Sequence, residues 1–368
     1  MGYVMEIKNL TCSTGFLTSM SAQSHSSFDT PALIEHFQSI LTGSWKAQAL
    51  YVAAELRLAD LLAEGPRTSA DLASSAGADP HSLHRLLRAL SALGICAERS
   101  DGSFELMPLG TLLQDNSPHS LRAWTMWWGH HLWPVWGNLL YSVRTGKSAR
   151  TLLFGTDGFG HLKNDPEAAA TFYRVTIELT RQTAACVLQA YDFAGLKQIA
   201  DIGGGHGEML AYVLRAYPDA SGTLFDLAIA VEGAAENFRK NHANLVARCA
   251  FVAGDFFESV PPGADAYILK SVIHDWDDER SSRILASCRR AMADGSRLLI
   301  IEPILPTRSE ATPLQATLSQ HDLTMLVALG AQERTEHEFS NLLKAAGLRV
   351  SRTVPAGPVY SIIECLPA

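Results

Sequence analysis

Over roughly 32–64, ALIEHFQSILTGSWKAQALYVAAELRLADLLAE, apolar residues recur at helical spacing until Gly65-Pro66 stops the pattern. TSADLASSAG follows as a second helix. Thr68, with Asp71 three positions on, resembles a capping box, and Gly77 suits a stop. Asp79-Pro80 opens a third helix with proline at its first position, and Leu83, Leu86, Leu87 and Leu90 form its buried stripe. After Gly94, ICAERSDGSFELM holds two short strand-like runs around Asp101-Gly102, a hairpin signal. Three helices and a hairpin make a winged-helix pattern over 31–115.

Residues 116–190 read as a largely helical connector. From 196 the rhythm changes to β-rich runs alternating with helices. LKQIADIGGG, SGTLFDL, RCAFVAGDFF, ADAYILKSV and SRLLIIEPIL read as buried parallel strands. The closely spaced LRVSRTVPAG and YSIIECLPA are expected to pair as an antiparallel edge. The chain is thus expected to be α/β, with 191–368 as its sheet domain and 1–30 as a poorly ordered leader.

At 368 residues, two domains are the natural expectation. Composition then narrows the function. The formal charge of -8 opposes nucleic-acid binding, and HSLHRLLRAL, the helix that would enter a groove, carries only Arg85 and Arg88 as firm cations. Dimerisation is the better use of such a module. The cysteines at 12, 96, 186, 249, 288 and 365 form no C-x-x-C and no zinc spacing. They read as free thiols in a reducing, cytoplasmic compartment. No apolar run is long enough to span a membrane, and no secretory signal opens the chain.

ADIGGGHGEML (200–210) is a strand, a glycine turn and a helix start, where backbone can approach a ligand closely. Asp226 ends the next strand, placed to bond ribose hydroxyls. A nicotinamide fingerprint would need glycine or alanine where Glu208 stands. DIGGGHGEM, FDL, GDFFESVP, LKSVIHDWDDE, IIEPILP and DLTMLVALGAQERTEHEF, in that order after a winged-helix start, resemble the dimeric S-adenosylmethionine-dependent O-methyltransferases of the caffeate and hydroxyindole type. The likeness covers about 32–366. It implies a class I methyltransferase sheet with an N-terminal winged-helix dimerisation domain, a homodimer, and an aromatic small-molecule acceptor, with no metal.

The resemblance also implies roles. Gly203 and Gly205 would lie against the methionine part of the cofactor, Asp226 at the ribose, and Asp255 and Phe256 at the adenine, with Lys270 at that same end. His274 would be the general base, flanked by Glu302 and Glu333, with Asp275 shaping the site. Asp277, Asp278 and Glu279 have a plainer reading as acids at a helix start. A base is needed because a phenol has a pKa of about 10 and imidazole about 6.5, so full proton transfer before attack is uphill by roughly 5 kcal/mol. Removing the proton during methyl transfer avoids that cost.

The chain departs from the plant branch at Ser271, often tryptophan there, and at Val175 and Thr176, where relatives commonly place methionine. Gly330-Ala331 replaces a glycine pair, and FDLP becomes FDLA. WTMWWGHHLWPVW (124–136) falls in the connector, whose helices would roof the acceptor cleft. Gly129 and Pro134 are expected to break it. His130 and His131 are adjacent and face different ways on a helix, against a metal site. Core packing and a wall for a flat acceptor both remain open. Trp133 and Trp136 are expected to pack, with one of Trp124, Trp127 or Trp128 facing the acceptor. Met325, in DLTMLVALG, joins that wall.

Overall fold

The computed structural model describes residues 29–156, 159–163 and 165–368, so all but the end of the segment read as a leader lies outside it. The described chain forms two compact units that meet in sequence between Trp133 and Pro134.

In the first unit, the segment read as one helix is three: α1 (Thr30–Leu41), α2 (Gly43–Glu55) and α3 (Leu58–Ala63). The last break is at Arg57, whose φ of 54° puts a non-glycine residue in the left-handed region. Then follow β1 (Arg67–Thr68), α4 (Ser69–Ala76), α5 (Pro80–Ala92), β2 (Cys96–Glu98) and β3 (Ser103–Leu106). The strands pair antiparallel in the order β1-β3-β2. Thr68 forms the N-cap half of the expected box, its Oγ1 accepting the Asp71 N–H at 3.2 Å, and Asp79 caps the helix that Pro80 opens by accepting the Ser82 N–H at 2.8 Å. Leu83, Leu87 and Leu90 bury their stripe with Leu72 and Phe104. Full burial of each such side chain is worth about 1.5–3 kcal/mol.

α6 (Arg122–Met126) does not break at Gly129. It runs into a π-helical turn over Trp127–Leu132, and the backbone stays right-handed helical at Met126, Trp127 and Trp133. Gly129 serves close approach instead. A Cβ there would lie 2.1 Å from Tyr51 Cβ, and the Gly129 carbonyl accepts from Gln48 Nε2 at 2.9 Å.

The unit boundary falls inside α7 (Trp133–Trp136), after which come α8 (Leu139–Thr145), α9 (Ala149–Phe154) and the long α10 (Pro166–Ala190). The sheet strands are β4 (Gln198–Ile202), β5 (Ser221–Asp226), β6 (Cys249–Ala253), β7 (Ala266–Lys270) and β8 (Arg297–Leu305). β9 (Arg334–Thr335), β10 (Leu348–Ala356) and β11 (Tyr360–Pro367) complete it in the order β10-β11-β8-β7-β4-β5-β6, with β9 beside the end of β8. β4 to β8 pair parallel, while β11 is antiparallel to both β8 and β10.

Strand residues alternate between two cores. Ile199, Ile268, Leu299 and Ile301 face one with α11 (Glu208–Ala216) and α12 (Ala228–Asn241). Ile202, Leu269, Leu298 and Ile300 face the other with α13 (Asp278–Ala291) and, beyond α14 (Pro313–Leu329), α15 (Glu336–Ala345). The chain crosses from β4 to β5 and β6 on one side, and from β7 to β8 on the other. The loops after β4 and β7 therefore flank a topological switch point, where ligands bind in open α/β sheets. No helix among the described residues is long and apolar enough to cross a membrane.

Candidate active site

The glycine turn after β4 is held open for a ligand. Gly203, Gly205 and Gly207 have φ of 68°, 56° and 78°. A Cβ on Gly203 would stand 3.0 Å from Val272 Cγ2, and one on Gly204 would stand 2.7 Å from Asp201 Oδ2. Asp226 closes the turn by accepting the Gly205 N–H at 2.8 Å and the Leu227 N–H at 2.7 Å. Burial raises its pKa, and those two bonds oppose the rise.

This turn forms one side of a cavity of about 560 Å³, which lies within the range of roughly 300–1,000 Å³ usual for small-molecule sites. Gly203, Gly205, Asp226, Asp255, Phe256, Lys270 and Asp275 all line it. The exposed Asp255 holds the Phe257 N–H at 2.8 Å. Lys270, at the end of β7, is held within that lining. Its ammonium donates to Thr180 Oγ1 at 3.1 Å and lies over the Tyr360 ring. Burial lowers its pKa to about 8 against the pull of Glu302, Asp201 and Asp275.

The residues present fit the cofactor of the resembled family. They offer an acid at a ribose distance in sequence, flat apolar surface, and Asp201 Oδ2, a buried atom without a hydrogen-bond partner. Burial, with Asp226 adding to it, raises the Asp201 pKa to about 7.

His274 lies in a 3-10 turn over Ile273–Asp275, just past β7. Its Nδ1 is 2.9 Å from Glu333 Oε1 and 3.2 Å from Glu302 Oε2, while Nε2 is 3.6 Å from Asp275 Oδ1. Glu302, in the middle of β8, is 0% exposed and accepts the N–H groups of Val272 and Ile273, both at 2.9 Å. Glu333 is buried too, and its own N–H is held by Asp322 Oδ1 at 3.0 Å. Burial works to lower the His274 pKa, but Glu302, Glu333 and Asp275 outweigh it and raise it to about 10. Burial raises Glu302 to about 7 and Asp275 to about 6.

The turn itself is braced by Arg334, which is fully buried. It donates to the carbonyls of Ile273 and Trp276 and reaches Asp278 Oδ1 at 2.7 Å. Asp278 thus does more than open a helix, whereas Asp277 caps α13 through the Arg280 N–H at 2.8 Å.

Part of the cavity wall lies outside the quoted motifs, at Phe159, Phe172 and Tyr173. Phe159, Phe172, Tyr173, Phe257 and Trp276 line it, with Tyr173 stacked on His206 at 4.4 Å. Trp276 stands edge-on to Phe256, Phe257 and Phe159. Its place beside His274 in HDW, like that of Phe257 in GDFF, was an available sequence signal. Trp124, Trp127, Trp128 and Met325, expected at the acceptor, are not among the residues that line this cavity. Trp127 is buried and Trp124 and Trp128 are half-buried, all in the unit that ends at Trp133. Met325 is half-buried on α14. Trp133 is 43% exposed, so it does not pack as expected, whereas Trp136 joins Val135, Ala149 and Val327.

A glycine turn, Asp226 at the end of β5 and a histidine among acids are grouped at one switch point, where open α/β sheets bind their ligands. Comparison with known proteins makes the class definite. Residues 136–349 match the O-methyltransferase domain model and residues 38–116 the O-methyltransferase dimerisation domain model. The chain belongs to the S-adenosylmethionine-dependent O-methyltransferase family. It is 41% identical to a phenazine O-methyltransferase of Lysobacter antibioticus over 89% of this chain and 94% of that one. It is 40% identical to a mitomycin 6-O-methyltransferase of Streptomyces lavendulae, over 88% and 92%. An O-methyltransferase of neocarzinostatin biosynthesis, solved with S-adenosylmethionine and 2-hydroxy-5-methyl naphthoic acid, superposes with a TM-score of 0.74 at 34% identity, over 88% and 96%.

Proposed function

We propose that the enzyme methylates a phenolic hydroxyl of an aromatic small molecule, with His274 as general base. The observation that carries this reading is the pairing of Nδ1 with two buried glutamates, which leaves Nε2 as the ring nitrogen on the side of cavity-lining Asp275. Bound S-adenosylmethionine supplies an electrophilic methyl group on a sulfonium. Nε2 would take the proton of the acceptor hydroxyl as that oxygen accepts the methyl group, with the cofactor's sulfur leaving as a neutral thioether. Glu333 and Glu302 hold the imidazole in orientation and stabilise the imidazolium that forms. Trp276 and its phenylalanine neighbours give the cavity an apolar wall that would help exclude water from a bound methyl donor.

The acid cluster changes the energetics expected of a free imidazole. Against burial, Glu302, Glu333 and Asp275 move the imidazole upward from its ordinary value toward that of a phenol, which narrows the gap for the transfer step and leaves the resting imidazole protonated at neutral pH. The consequence is a rate that climbs with pH as His274 loses its resting proton.

The homodimer is part of the same proposal. α1 buries none of its residues, and Leu33, Ile34, Phe37, Ile40 and Trp45 are each at least half exposed on the matched dimerisation segment and its approach. A reducing, cytoplasmic compartment suits the five free cysteines among the described residues. Trp124, Trp127, Trp128 and Met325 stay in the proposal as acceptor-contacting residues, to be tested by alanine substitution against the acceptor KM.

The deciding experiment measures S-adenosylhomocysteine release across phenols, hydroxyquinones and hydroxyindoles, with wild type beside His274→Ala. Release by wild type alone supports base-assisted O-methylation. Equal release by both proteins would overturn the role of His274 and favour a nitrogen acceptor.

A further inference from the structure

The aromatic lining of the cavity is continuous. From the glycine turn it runs His206, Tyr173, Phe172, Phe159, Trp276 and Phe256, with successive ring centroids 4.4, 5.9, 5.4, 6.4 and 6.1 Å apart. Phe256 then returns to the same turn, its Cε1 lying 3.4 Å from where a Cβ on Gly203 would stand. All six line the cavity. The tightest joint of this collar is the first, where the Tyr173 and His206 planes are stacked 14° apart.

Both partners of that joint are held from behind. His206 is pinned on α12. Its carbonyl accepts Asn237 Nδ2 at 2.9 Å, and its ring covers Gly233 so closely that a Cβ there would collide with Nε2. Tyr173 stands on α10 three residues before Thr176. The Thr176 Oγ1 donates to the Tyr173 carbonyl at 2.8 Å and lies 3.9 Å from where a Cβ on Gly205 would stand. Gly205 is the residue whose N–H Asp226 accepts at 2.8 Å. This turn of α10 therefore crosses the cavity at the Asp226 end, where the ribose of the cofactor is expected. Charge fits the place. Burial raises the Tyr173 pKa and Asp226 adds to the rise, so the phenol keeps its proton. Burial lowers the His206 pKa against Glu236 and Glu208, so its imidazole brings no second positive charge beside a sulfonium. A ring already fixed by stacking gives up little further freedom when a ligand arrives beneath it.

We propose that Tyr173, positioned by His206, closes over the ribose of the bound cofactor and sets how slowly S-adenosylhomocysteine leaves. This rests on the reading of Asp226 as the ribose acid, and the test lets the two fail separately.

Release of S-adenosylhomocysteine, and of 5′-methylthioadenosine, which lacks the amino-acid part, is followed from the full-length protein by stopped-flow fluorescence. Tyr173→Ala should release both ligands about tenfold faster, the worth of one good aromatic contact. Tyr173→Phe keeps the ring and should release both at close to the wild-type rate. Tyr173→Leu keeps bulk without the stack, should behave as the alanine variant does, and carries the test if that variant does not fold. His206→Ala should also speed release, and His206→Phe, which restores a stacking ring, should slow it again. Unchanged release from both the alanine and leucine variants overturns the proposal. Faster release of S-adenosylhomocysteine alone places Tyr173 at the amino-acid part and overturns the ribose contact. Failure of His206→Phe to rescue overturns the positioning role of His206. Unchanged affinity for both ligands in Asp226→Asn, with faster release from Tyr173→Ala, would count against Asp226 as the ribose acid and not against Tyr173.

Discussion

Two histidines of the sheet unit, His242 and His274, lie against buried glutamates at nearly equal distances, and the contacts do opposite work. His242 Nε2 lies 3.1 Å from Glu208 Oε2, and His274 Nδ1 lies 2.9 Å from Glu333 Oε1. At Glu208 the donors are in excess. Arg181 Nε donates at 2.9 Å and Asn237 Nδ2 at 3.4 Å, and Arg215 occupies His242 Nδ1 at 2.9 Å. Burial alone would raise the Glu208 pKa, but His242 and Arg181 bring it down to about 2. At His274 the acceptors are in excess, and the imidazole is pushed up to about 10. The first pair is a fixed-charge lock that ties the glycine turn to α10 and α12. The second is a proton store. The ratio of donors to carboxylates, not the pair itself, decides which one a histidine–glutamate contact becomes.

Each half of that contrast can be broken. The largest effect is expected from His274→Ala, which should lower kcat by roughly 10²–10⁴-fold, the usual worth of a general base, while leaving S-adenosylhomocysteine affinity near normal by calorimetry. Glu208→Gln should cost stability instead. A folded pKa of about 2 against an ordinary 4.5 corresponds to about 3 kcal/mol, present above pH 4.5 and lost as pH falls toward 2. Urea melts of variant and wild type should therefore differ at pH 7 and converge near pH 2. An unchanged melt at neutral pH would mean the lock is not one.

Glu333→Gln removes one anion from the store, so the His274 pKa should fall. The rising limb of the pH–rate profile should move to lower pH by about one unit, equivalent to about 1.4 kcal/mol. A shift to higher pH would contradict the electrostatic account. The smallest effect is expected from Gly203→Ala. A φ of 68° costs an alanine about 1 kcal/mol, read as a lower melting midpoint with weaker cofactor binding.

How much of this was legible in the sequence depended on whether the signal was local. The caps at Thr68 and Asp79 were readable because cap and partner lie three residues apart. The five parallel strands were readable as apolar runs. Motif order singled out His274, Glu302 and Glu333, which the fold brings together across 59 residues of chain. The Glu208 lock was not readable beyond a misfit in a glycine fingerprint, because His242 and Arg181 reach it from separate helices. The Phe159, Phe172 and Tyr173 wall depends on where α9 and α10 dock, which no local pattern encodes. Gly129 read as a breaker because its residue type favours one. Tyr51, 78 positions earlier in the chain, is what makes a glycine necessary there.

Glu302 has a further consequence in time rather than in space. The amides of Val272 and Ile273 are sealed onto a carboxylate that is itself locked mid-strand, with Ser361 of β11 opposite. Their exchange with deuterated solvent therefore reports the opening of the central sheet, not the breathing of a surface loop. His274 sits on a turn tied to the core, so as the proposed base it would keep its aim from one turnover to the next.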